Sequence, residues 1–189
     1  IVNAITPDGV CADINGDCTL RAAIEEANAT VDSDTIEFNI SGGGVQTITP
    51  ATQLPVISEQ ITINGFTQPG SSANTTVSPA PFDTVINIAI DMTNSDAGIA
   101  ISASDSIIKG LSIYSCLDCL NISGANPTIQ GNFLGVDTSG ITFGSRFSRR
   151  ALNVDGSANG ATIGGANAID RNILIGGTST GAGGTYINS

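Results

Sequence analysis

The chain has 189 residues, seventeen Asp and Glu against six Lys and Arg, no His, and a net charge of −11. That balance excludes a nucleic-acid partner, because no basic patch exists to displace counterions from phosphate. No run of about 18 apolar residues is present to span a membrane. Hydrophobic residues still make up 40%, mostly aliphatics in short runs, so one domain with a core of thin aliphatic layers is expected.

In chain order, the first residue is Ile1 and no signal peptide follows, which reads as a processed, exported protein. Cys11, Cys18, Cys116 and Cys119 form two close pairs. They point to an oxidising compartment, and proximity favours 11–18 and 116–119 among three possible connectivities. Between the first two cysteines, Asp13, Asn15 and Asp17 have the D-x-N-x-D spacing that opens a calcium loop. No Gly-x5-Glu follows in register, so a polar disulfide loop is the main reading and an extracellular Ca²⁺ site the alternative. No other cofactor is expected. The "CLDC" at 116–119 could be a redox or metal motif, but no His and no further Cys pair accompanies it.

Leu20, Ala23, Ile24 and Ala27 fall at i, i+3, i+4 and i+7, which predicts one amphipathic helix. Asp17 or Thr19 can cap its start and Asn28 can end it. Residues 1–33 are therefore expected to form a disulfide loop with a capping helix.

From residue 34 onward the chain repeats itself. The segments "LPVISEQITING" (54–65), "IAISASDSIIKG" (99–110), "LNISGANPTIQG" (120–131) and "LNVDGSANGATIGG" (152–165) share an aliphatic pair, a polar turn, a second β-rich tripeptide and a closing Gly. One such unit cannot bury its apolar stripe alone. Stacking the units places Ile101, Ile122 and Val154 in one ladder and Ile63, Ile108, Ile129 and Ile163 in another. The expected fold is an all-β, right-handed parallel β-helix (β-solenoid) over 34–189, of about six or seven rungs at ~21 residues per turn, with a short N-terminal capping α-helix. A β-sandwich is the rival.

"CADINGDCTLRAAIEEANA" resembles the CSLREA motif of bacterial exported proteins: Cys18, Thr19, Leu20, Arg21, Ala22, Ala23 and Ile24 follow its course. Ala22 departs from it where that family carries Glu, and Glu25 could instead face Arg21 at i, i+4. "INGFTQPGSSANT", "IQGNFLGVDTSG" and "ATIGGANAIDRNILIGG" are similar to the β-helix repeats of such proteins. The resemblance implies a β-helix and a secreted or cell-surface address, and no defined activity.

No catalytic residues are expected. Asp91, Asp105, Asp118, Asp137, Asp155 and Asp170 are scattered among turns and read as Asx-turn residues rather than the clustered carboxylates a glycosidase needs. The cations of "SRFSRR" (145–150) read as a solvated loop. Thr62, Thr128 and Thr162 share a repeat position, but Ile107 interrupts the array an ice-binding face would need. The function expected is a non-enzymatic structural or adhesive surface protein, a candidate extracellular filament subunit that self-associates through an open C-terminal rung. The alternative is a glycan-binding or polysaccharide-degrading protein, with loops 66–83 and 137–150 walling a groove.

Overall fold

The structure is a computed structural model that describes residues 2–5, 11, 17–145, 148–177 and 183–186, the first and last of these segments by backbone alone. The chain opens with strand β1 (Val2–Ile5) and helix α1 (Leu20–Ala27). It then makes five passes. The first supplies β2 (Asp34–Phe38) and β3 (Gln46–Ile48), the second β4 (Ile61–Asn64), β5 (Ile88–Asp91) and β6 (Ala97–Ile101). The third gives β7 (Ile107–Lys109), β8 (Ser112–Tyr114) and β9 (Asp118–Ile122), the fourth β10 (Thr128–Gln130), β11 (Phe133–Leu134) and β12 (Arg150–Val154). The last has β13 (Thr162–Ile163), β14 (Ile173–Gly177) and β15 (Gly183–Tyr186).

Three sheets result: β1-β2-β4-β7-β10-β13, β3-β5-β8-β11-β14-β15 and β6-β9-β12. Both ladders of aliphatic residues are present. Ile63, Ile108, Ile129 and Ile163 stand in register across the first sheet, and Ile101, Ile122 and Val154 across the third. Their period-two placement turns each Ile into one shared core, where full burial contributes about 1.5–3 kcal/mol per side chain.

The expected class requires correction. An all-β, right-handed parallel β-helix would carry every face through every turn. The described residues instead form three discrete, mostly parallel sheets with one α-helix, and only the second, third and fourth passes contribute to all three. Long excursions at 65–87 and 135–149 interrupt the passes, and both end strands reverse direction. β1 lies antiparallel on β2, and β15 lies antiparallel on β14. The last edge of the second sheet is thus covered by the chain's own strand.

The helix follows its sequence pattern. Leu20, Ala23, Ile24 and Ala27 are buried in the same core as the sheets. Thr19 is the N-cap, its hydroxyl accepting from Ala22 N at 3.1 Å, and Asn28 is the C-cap. Arg21 does not reach forward along the helix to Glu25. Its Nη2 donates to Thr52 O, Thr52 Oγ1 and Gln53 O, which ties α1 to the 52–53 turn. Cys11–Cys18 and Cys116–Cys119 are both disulfides, with Cα separations of 5.0 and 5.1 Å.

Candidate functional site

The outward residues of the first sheet form two files. One is Thr35, Thr62, Ile107, Thr128 and Thr162, the other Glu37, Asn64, Lys109 and Gln130. Adjacent members are one strand apart, about 4.8 Å. The second file runs into an open groove of about 280 Å³ lined by Asn64, Phe66, Lys109, Gln130, Ile169 and Asp170.

The walls of this groove come from two distant segments. Phe66 lies in a 3₁₀ turn at Gly65–Thr67, started by Asn64, whose Oδ1 accepts from Phe66 N at 3.2 Å. Its ring rests on Gly110 and Gly131, both at positive φ (72° and 66°). A Cβ at either glycine would meet the ring at 2.8–2.9 Å, so these corners must be glycine for the aromatic to sit there. The opposite wall is a second 3₁₀ turn, Ala168–Asp170, held by Asp170 Oδ2 accepting from Asn167 N and Nδ2 at 3.0 Å. Asn74, on the loop that follows Phe66, ties that loop to the second wall. It is fully buried and donates to Ala168 O at 3.0 Å and Thr76 O at 2.6 Å. Ile169 is 52% exposed beside the groove.

The floor is polar and largely uncommitted. Gln130 Nε2 donates to Gly164 O at 3.1 Å, which leaves Oε1 free to accept. Lys109, the chain's single lysine, has neither hydrogen bond nor ion pair among the described residues, whereas every other described cation has a partner. Arg171, for example, donates to Thr76 O and Ala80 O and lies 4.2 Å above the Phe82 ring.

The outer face of the second sheet is built differently. Phe133 and Ile173, in register on β11 and β14, point outward into a second apolar cluster with Ile86 and Val136, joined by Phe82 and Phe143. The Phe82 ring meets Phe133 edge-on at 6.0 Å. Loops 66–83 and 137–150 therefore both fold onto this sheet, and Phe66, which packs against the same cluster, walls the groove together with Ala73. Toward the third sheet, burial and the nearby carboxylates of Asp91 and Asp137 push the Tyr114 phenol up.

On the third sheet, the "SRFSRR" cations are not simply solvated. Asp118 accepts from Arg149 Nε at 3.2 Å and Arg149 Nη2, and from Arg150 Nε and Nη2 at 2.8 Å. Arg150 Nη1 continues to Asn153 Oδ1 at 2.9 Å, and Asn153 Nδ2 to Asn121 Oδ1 at 3.3 Å. Hydrogen bonds from Arg150 and then Arg149 hold the Asp118 carboxyl far below the usual carboxylate range.

The remaining aspartates serve as local acceptors. Asp155 accepts from Ser157 N at 2.9 Å, Asp137 from Ser139 N at 3.0 Å, Asp91 from Thr93 N at 3.1 Å and Asp105 from Asn126 Nδ2 at 3.0 Å. The Ser157 hydroxyl lowers the Asp155 carboxyl, and the Thr75 hydroxyl likewise lowers Asp83. Asp13 and Asn15 lie outside the described residues. Asp17 is exposed, its carbonyl accepting from Thr19 N at 3.1 Å, and no group of three or more His, Cys, Asp or Glu able to hold a metal occurs among the described residues. Cys116 and Cys119 are fully buried, with Ser148 Oγ 3.0 Å from Cys119 Sγ.

No family model, curated protein or solved structure matches this chain. Its function is therefore read from the geometry. Sequence reasoning missed the groove, since Asn64, Lys109 and Gln130 meet through strand register, and Phe66 faces Ile169 from across more than half the chain.

Proposed function

We propose that this is an exported, non-catalytic adhesive protein that binds extended, β-linked glycan chains along the outer face of its first sheet. The observation that carries the reading is the in-register file Asn64–Lys109–Gln130 beside the Phe66 ring. An inter-strand step of about 4.8 Å is close to the advance of one pyranose along an extended β-linked chain. Successive sugars can then meet successive polar side chains while Phe66 offers an apolar face to a sugar ring. This is the usual division of labour in a concave binding site, apolar walls with a few placed polar groups.

Two further features support the class. The aspartates named above are engaged in turns or ion pairs, and hydrogen bonds lower the carboxyls of Asp83, Asp118 and Asp155, whereas a general acid needs a raised value. The two disulfides, with no helix of the described residues long and apolar enough to cross a membrane, are compatible with secretion. Titration calorimetry with xylotetraose and cellotetraose tests the reading. The wild-type protein binds at least one of them, and the variant Asn64→Ala/Gln130→Ala loses that binding while keeping a cooperative melt, at a Tm lowered by the loss of the Asn64 cap and the Gln130 hydrogen bond. Absence of binding to both sugars would refute the proposal.

A further inference from the structure

The glycan proposed above is, in general terms, a neutral chain of sugars. Lys109 adds a constraint. It sits mid-file between Asn64 and Gln130, in register with both, so its nearest neighbours across the sheet are uncharged amides. Glu37 is two strands away, about 9.6 Å along the file. Asp170, which also lines the groove, is 7% exposed and spends one carboxylate oxygen on Asn167. In a chain of net charge −11, a partly buried lysine that makes no ion pair among the described residues, in the floor of a groove, is an unusual placement of positive charge. The other described arginines all find carboxylate, carbonyl or aromatic partners within the chain.

We infer that Lys109 reads a carboxylate on the bound glycan, so that the preferred ligand is a neutral β-linked chain bearing an isolated uronate rather than a neutral chain or a polyuronate. The inference rests on the proposed glycan-binding function. A single ammonium matches a single carboxylate, held as a charge-assisted hydrogen bond. The surrounding negative charge acts against a ligand with one carboxylate on every sugar, through like-charge repulsion. Asn64 and Gln130 on either side are suited to the hydroxyls of the flanking neutral sugars, and Phe66 to a ring face.

The test compares three ligands by titration calorimetry at low salt: xylotetraose, xylotriose carrying one glucuronate, and tetragalacturonate. The singly charged ligand is expected to bind about fivefold more tightly than xylotetraose, the upper end for a partly exposed ion pair. Raising the ionic strength should shrink that ratio. Lys109→Gln should abolish the ratio, and Lys109→Arg should retain most of it. Equal affinities for the charged and neutral ligands, or a ratio that survives Lys109→Gln, would overturn the inference while leaving glycan binding in place. Tightest binding of tetragalacturonate would overturn it as well. Failure of all three ligands to bind would overturn the inference, and failure of cellotetraose as well would overturn the function on which it rests.

Discussion

The first and second sheets share one construction on their inner faces and part company on the outer. Inside, both bury register-aligned aliphatics, Ile63, Ile108 and Ile129 in one and Ile90, Ile113 and Leu134 in the other. Outside, the second sheet presents Phe133 and Ile173 and is covered by the excursions that carry Phe82, Ile86, Val136 and Phe143. The first presents Thr, Asn, Lys, Gln and Glu, with Ile107 the one aliphatic in its two files, and stays open. The lesson is that the outward residues decide which face recruits loops and which remains for a ligand. A bare apolar face would cost about 25 cal/mol for every Å² left in water, whereas a polar file incurs no such cost.

The largest effect is expected where the covered face depends on an aromatic. Phe133→Ala should lower stability by about 3–5 kcal/mol in denaturant unfolding, since Phe133 is 3% exposed and contacts Phe82. A loss under about 1 kcal/mol, the size of an ordinary surface change, would mean that the loops are held by their hydrogen bonds rather than by this packing. On the open face, Gly110→Ala should cost more than the about 1–2 kcal/mol of an alanine at φ 72°, because its Cβ would also meet Phe66 N at 2.6 Å. It should also displace the Phe66 ring and so weaken glycan binding more than its stability loss implies.

A smaller, pH-dependent effect separates the third sheet from both. The folded Asp118 carboxyl is lowered by Arg150 and Arg149. Its stabilisation is therefore fully present above the unfolded value of about pH 4 and is lost as pH falls toward the depressed folded value. Asp118→Asn should cost about 1 kcal/mol at pH 7, and the gap from wild type should close in acid unfolding experiments below about pH 4. A gap that is independent of pH would assign the loss to packing instead. Least of all, Thr128→Ala on the open face should change stability by under about 0.5 kcal/mol, checked by thermal melting.

The inner ladders were legible in the sequence because Ile at period two is a local pattern, repeated with a closing glycine. The helix was legible for the same reason, as a stripe of Leu20, Ala23, Ile24 and Ala27 beneath a threonine cap. What was not legible is whatever depends on the excursions between strands. Nothing near 149–150 announces that Arg149 and Arg150 clamp Asp118 from the preceding pass, 31 and 32 residues away. The change of direction at β1 and β15 is likewise a property of chain ends returning to sheet edges, not of their alternation. Lys109 acquires meaning only once its register partners are known to be amides.

Amide chemical-shift mapping of the ¹⁵N-labelled protein during separate titrations with xylotetraose and cellotetraose tests the central claim most directly. The account predicts that the perturbed amides cluster on Asn64, Phe66, Lys109, Gln130 and Ile169. Perturbations centred instead on Asn121 and Asn153 of the third sheet, or none at saturating sugar, would contradict it.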